Sequence, residues 1–271
     1  MNELISAERK LFLKKRKNRK ILITLTQFLI LFGFIIIWEL LANLGILDSF
    51  ITSQPSRIFK TILNYQENQL FYHIGITCLE TIIGFLLGTL LGTMIASFLW
   101  WSDFWSKVFD PFLVILNSLP KVALGPIIIV WVGAGTPAII TMALAISLIV
   151  TILEMLNGFH HTDKNLNKMA STFQANKYQI FFKIIFPANI TTLINTLKVN
   201  IGLSIVGVIS GEFLVSKGGL GYLIVYGGQV FKLDLVMTSV IILGVVAAVL
   251  YHLIVLFEKF ILKFIVHKHS S

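Results

Sequence analysis

The chain has one cysteine, Cys78, in 271 residues, so neither an intrachain disulfide nor a cysteine-based metal cluster is open to it. Charge is scarce too. Charged residues make up 13% against 56% hydrophobic, and a mean hydropathy of +0.86 is not a balance that a water-soluble domain of this size presents to solvent. No G-x-x-x-x-G-K-[ST] phosphate loop occurs, so the chain has no nucleotide site of that kind. There is no nucleophile with a neighbouring base and no recognisable pair of acid/base carboxylates. The six histidines make no ligand set: His160 and His161 are adjacent and point different ways on a helix, and His267 and His269 lie in the tail. These absences speak against an enzyme and for a protein whose solvent is lipid.

The net charge of +9 is concentrated. Eight of the 22 basic residues fall between Arg9 and Lys20, directly before the apolar run that starts at Ile21. A basic flank beside a spanning helix reads as a cytoplasmic anchor favoured by anionic lipid. The aromatics are not interleaved with these cations as stacking platforms, so no nucleic-acid partner is expected. The run from Ile21 to Ala42 is longer than a signal h-region and has no small-residue cleavage site, so it stays as a helix.

A span needs about 20 apolar residues, because every backbone polar group must be paired inside the helix. Six stretches qualify, near 21–42, 73–99, 107–132, 137–158, 188–214 and 235–262. The organisation predicted is a basic leader at 1–20, a membrane domain at 21–262 and a tail at 263–271. Six spans put both ends on one side, and the basic leader makes that side cytoplasmic, with Lys259, Lys263 and Lys268 following. The loop at 159–187 falls on the same side and carries Lys164, Lys168, Lys177 and Lys183 against Asp163. Between Asn43 and Tyr72, Arg57 and Lys60 are balanced by Asp48 and Glu67, as expected outside.

Two regions depart from simple spans. Pro120 and Pro126, after Pro111, cannot donate backbone hydrogen bonds and predict a break in the third span. Gly211, Gly218, Gly219 and Gly221 predict that the fifth span ends in a re-entrant or tight turn. Broken backbone at membrane depth survives only where protein buries it or a water path receives it, which makes Pro120, Lys121, Glu212, Gly218 and Gly219 candidate pathway residues. Lys121 either attracts an anion or pairs with Glu212 or Glu154; Glu212 reads as an internal strut. Glu39 and Glu154 lie near span ends, Glu80 near the start of span two, and Lys198 is placed to snorkel to the cytoplasmic side. Gly84, Gly88 and Gly92 recur on one helix face and invite close packing.

The longest inner loop ends in a segment where Ile180, Phe181, Ile184 and Ile185 stand at helical spacing, with Lys177 and Lys183 toward water. That is either an interfacial anchor or a docking helix for a soluble partner.

Here the chain resembles the permeases of bacterial ATP-binding cassette importers, in the branch serving nitrate, taurine and other sulfonates, and some pyrimidine vitamin precursors. Ala170, Thr172, Phe173, Ala175, Phe186 and Pro187 fall on that family's E-A-A-x-x-x-G loop and its closing proline pair. Trp38-Glu39-Leu40, Gln54-Pro55-Ser56, Asp110-Pro111, Leu119-Pro120-Lys121, Ala123-Leu124, Pro126, Trp131, Gly133, Gly211-Glu212 and Gly218 to Tyr222 match further segments in order. The family's acidic residue falls on Lys168, which reverses the charge at the docking helix, and its helix-to-turn glycine falls on Gln174, which helix geometry tolerates.

The resemblance implies an all-α integral membrane protein with about six transmembrane helices and a cytoplasmic coupling helix between spans four and five. It implies ATPase docking at Lys168, Ala170, Thr172, Phe173, Gln174, Ala175, Phe186 and Pro187. The other partners it implies are a second permease copy, identical or related, and an extracytoplasmic solute-binding protein at a bacterial inner membrane. No cofactor is expected on this chain, ATP and magnesium belonging to the ATPase. The cargo it implies is a small anion or a pyrimidine precursor. An ion-coupled secondary transporter is the rival reading, and a membrane-anchoring subunit a second one.

Overall fold

The computed structural model describes residues 7–64 and 66–268, and every regular element among them is helical. The first six residues of the expected leader and the last three of the tail, His269 among them, lie outside the described residues. The chain divides into two compact units, Met1–Leu63 and Asn64–Ser271.

In the first unit, α1 (Ala7–Asn43) runs unbroken from the basic leader through the first apolar stretch, about 55 Å at ~1.5 Å per residue. Asp48 caps the single turn α2 (Ser49–Thr52) through the Phe50 amide. The amphipathic helix α3 (Pro55–Leu63) follows. Its first turn is capped from α1: the Ser56 amide donates to Glu39 Oε2 at 3.0 Å. Glu39 therefore serves as a helix cap, the structural role expected of it.

The second unit is built around three long helices, α4 (Leu70–Trp101), α7 (Thr136–His160) and α11 (Ile190–Val215). The small residues explain why they approach so closely. An added Cβ would meet Ala143 Cβ at 2.5 Å from Gly84, Ser147 Oγ at 1.9 Å from Gly88 and Thr151 Cβ at 2.5 Å from Gly92. Gly207 of α11 lies as tightly on the other face of α7, where a Cβ would sit 2.6 Å from Ala143 Cα. Asn200 joins all three helices, donating to Thr151 Oγ1 at 2.5 Å and Thr89 Oγ1 at 3.1 Å.

The third apolar stretch is a bent pair. Helix α5 (Asp103–Ser118), capped by Ser102, contains Pro111 and stops before Pro120. A 3₁₀ turn at Lys121–Leu124 leads into α6 (Gly125–Val132), and the axis turns by 90° across the break. Pro126 sits in the first turn of α6, where its missing N–H costs nothing. Among the described residues, five helices are long and apolar enough to cross a membrane, six if the bent pair counts as one span.

Beyond α7 come α8 (Lys164–Thr172) and α9 (Lys177–Ile180), then a π-helical turn at Phe181–Ile185 and α10 (Phe186–Ala188). Helix α11 runs through Gly211, which packs against Ile139, and ends at Val215, so the turn expected at Gly211 comes four residues later. The unit closes with α12 (Leu220–Gln229) and α13 (Leu233–Lys268).

Candidate functional site

Two regions at opposite ends of the second unit hold the candidate residues. At the loop end, Asp163 caps α8 through the Asn165 amide at 2.8 Å, and the described residues of α8 are exposed except Ala170. The helix stops in a Schellman turn: the Ala175 amide reaches Ala170 O at 3.1 Å and the Gln174 amide reaches Ser171 O at 3.0 Å. Gln174 takes φ +56°, the left-handed conformation in which glycine is favoured. The position is therefore a helix stop, as the family's helix-to-turn glycine implies, and the tolerance of a helix for Gln does not bear on it. Phe173 beside it is 79% exposed.

The second half of the loop does the opposite. Asn176 and Gln179 form a capping box, and Phe181 and Ile185 are buried among Leu99, Leu113, Met155 and Phe159. Trp100 and Trp101 of α4 pack against Phe181 with tilted rings, and Lys177 Nζ donates to Trp101 O at 2.6 Å. Asn189 Nδ2 donates to Thr162 Oγ1 at 2.7 Å and so ties the two ends of the loop together. The periodic apolar segment is thus an anchor, and the presented helix is α8. Lys168, Ala170, Thr172, Phe173, Gln174 and Ala175 gather on it and its turn, whereas Phe186 and Pro187 sit beyond the anchor, with Phe186 against Phe181.

At the far end, three successive amides at the start of α12 are held by acceptors from α4 and α11. Gly219 N donates to His73 Nδ1 at 2.9 Å, Leu220 N to Thr77 Oγ1 at 2.8 Å, and Gly221 N to Glu212 Oε2 at 2.5 Å. The Thr77 hydroxyl in turn donates to Glu212 Oε1 at 2.7 Å. Gly219 has φ +107°, and a Cβ there would lie 2.2 Å from the Glu212 carboxylate. Glu212, Gly218 and Gly219 therefore come together, with Glu212 buried as a strut.

Beside them lies Glu80, which the sequence placed only near the start of a span. Its buried carboxyl lies beside Glu212 and Thr136. Two cavities of about 420 and 430 Å³ open at this place and share Tyr72, Ile76, Glu80 and Thr136.

Lys121 does not join this cluster. Its Nζ donates to Asn117 O at 2.9 Å and Oδ1 at 3.2 Å across the bend, and it has no carboxylate partner among the described residues. Glu154 is exposed and likewise unpaired among them. Lys198 forms an ion pair with Glu258 of α13 at 2.7 Å instead of snorkelling. Sequence reasoning missed Glu258, His73 and Thr77, whose partners stand far away along the chain.

Comparison with known proteins agrees with this architecture. A probable ABC transporter permease of Haemophilus influenzae is 29% identical, over 80% of this chain and 88% of that protein. A putative aliphatic sulfonates transport permease of Bacillus subtilis is 26% identical over 84% and 83%, and a formylaminopyrimidine transport permease of Halalkalibacterium halodurans 23% identical over 69% and 74%. In fold, an inward-facing structure of the MetNI methionine ABC transporter superposes with a TM-score of 0.64 at 16% identity, over 71% of this chain and 97% of that one. Residues 84–266 match the family of binding-protein-dependent transport system inner membrane components, and the chain is a multi-pass membrane protein of that family.

Proposed function

We propose that this chain is the permease of an ATP-driven importer and that α8 with its Schellman turn is the surface on which a separate ATPase docks. The observation that carries the proposal is the contrast inside one loop. Phe181 and Ile185 are buried among residues of α4, α5 and α7 and Lys177 is bonded to Trp101 O, while Phe173 on the adjoining turn is left 79% exposed. A surface aromatic carried on a braced base suits a joint that transmits force to packed helices. ATP and magnesium belong to that ATPase, and this chain binds no cofactor of its own.

The pathway needs a second copy, identical or related. Supporting this, the outward face of α11 carries Thr191, Asn195, Val199, Gly202 and Val206 at helical spacing. Thr191 and Asn195 are polar and Gly202 is small, and such residues on one helix face favour a protein neighbour over lipid. Lys121 and Pro120 at the bend line the same route. With the basic leader and loop inside, both termini are cytoplasmic, and the far end with Glu212, Gly218 and Gly219 meets the solute-binding protein at a bacterial inner membrane. The cargo is a small solute of the classes that the relatives' names give, a sulfonate- or nitrate-like anion or a pyrimidine precursor.

Co-purification tests the docking assignment. Phe173→Asp is expected to abolish retention of the ATPase while the permease still inserts normally; full retention and normal ATP-driven uptake by that variant would overturn it.

A further inference from the structure

Glu80 is the one ionisable side chain among the described residues with a buried oxygen left without a donor. It is 2% exposed, and its Oε2 has no hydrogen-bond partner. The neighbouring Glu212 is by contrast well supplied, by the Thr77 hydroxyl and the Gly221 amide. The two carboxyls are buried side by side, and only Glu212 has donors of its own. A buried carboxylate oxygen without a donor is strongly unfavourable, so the pair calls for a donor from outside the chain.

The space around Glu80 is shaped for one. It lines both cavities, one walled by Phe71, Tyr72 and Leu79, the other by Ser216, Lys217 and backbone of the 134–136 turn. An apolar, aromatic-edged chamber and a polar chamber thus meet at a carboxylate.

We propose that these joined cavities bind a small organic cation with N–H donors, an amidinium or protonated amine on an apolar or aromatic body, with Glu80 as its counter-ion. A planar amidinium pairs with a carboxylate through two parallel hydrogen bonds, and its ring has the Tyr72 and Phe71 faces to lie against. A nitrate or sulfonate at the same place meets two carboxyls and is repelled. Lys217 is exposed and reaches only one of the two chambers. As a station on the solute's route the site rests on the importer reading and fits the pyrimidine-precursor cargo, not the anionic one; as a cation site it stands on the cavities and Glu80 alone.

The test is direct binding of benzamidine to the full chain, reconstituted in lipid discs with its ATPase, and read by calorimetry. Saturable binding is expected in the parent protein, weakened at least about tenfold by Glu80→Gln, which keeps the side-chain shape. Gly75→Trp, which puts a ring at the wall of the apolar chamber where an added side chain meets open space, is expected to weaken it as much while leaving thermal stability near that of the parent. Absence of saturable binding, binding unchanged in both variants, or displacement of benzamidine by taurine or nitrate beyond a sodium chloride control would overturn the proposal. ATPase retention measured on the same preparations separates the two readings: its loss with benzamidine binding intact counts against the importer assignment alone.

Discussion

The Ala175 amide donates to the Ala170 carbonyl at 3.1 Å across a left-handed Gln174, so a residue with a Cβ occupies the position where a helix stop favours glycine. That conformation costs a non-glycine residue about 1 kcal/mol. Gln174→Gly is therefore expected to raise the midpoint of thermal unfolding in detergent and to slow proteolysis of the loop. Gln174→Val, branched at Cβ, should do the reverse. Identical cleavage rates at 164–175 in both variants would show that the turn does not govern the loop.

Phe173 and Phe181 separate docking from anchoring. Phe181 is buried among Leu99, Leu113, Met155 and Phe159, and its truncation to Ala should cost about 3–4 kcal/mol, as for other buried aromatics. Phe173→Ala removes an exposed ring, and an expected stability change within about 0.5 kcal/mol goes with a loss of ATP-driven uptake. Differential scanning calorimetry beside vesicle uptake distinguishes them. Equal effects on both readouts from the two variants would contradict the division of the loop.

The Lys198–Glu258 pair, at 2.7 Å with side chains 21% and 19% exposed, joins α11 to α13 at a depth where either charge alone is costly. Single variants Lys198→Ala and Glu258→Ala should each destabilise by roughly 1–3 kcal/mol, the partial exposure holding them below a fully buried pair. The exchange Lys198→Glu with Glu258→Lys should recover much of the loss. A double exchange no better than either single variant would mean that the pair does not couple the two helices.

What the sequence reveals about this molecule follows the range of each interaction. Span positions, the break at Pro120 and the packing role of Gly84, Gly88 and Gly92 were legible because they depend on composition, one residue's missing N–H, or a repeat within one helix. The loop was half legible. Ile180, Phe181, Ile184 and Ile185 have the spacing of an amphipathic face, but spacing does not say whether that face meets lipid, a partner or the rest of the chain. Burial of Phe181 and Ile185 decides it: that face meets the rest of the chain, and α8 is the helix left exposed. Glu80 and Glu212 were the least legible: 132 positions separate them, and only the packing of α4 against α11 brings the carboxyls together. Gln174 was misjudged because helix propensity was applied to a residue that lies just past the helix end.

Gly219 sits where no side chain fits, and the two glycines beside each other are not equivalent. Its φ of +107° strains any L residue, and a Cβ would stand 2.2 Å from the Glu212 carboxylate that holds the Gly221 amide. At Gly218 an added Cβ would meet the Ile76 Cδ1 methyl at 2.6 Å, the far end of a side chain that can rotate away. Gly219→Ala should therefore cost roughly 3 kcal/mol or more through backbone strain and the displaced carboxylate, with uptake lost. Gly218→Ala should cost about 1 kcal/mol, from a clash that a rotamer change relieves. The Thr77 hydroxyl bonds both Glu212 and Leu220, so Gly219→Ala should also free the start of α12, visible as faster hydrogen exchange at Gly219 to Leu223. Exchange unchanged in that segment would show that α12 is held by its contacts with α13 and not by the clamp of His73, Thr77 and Glu212.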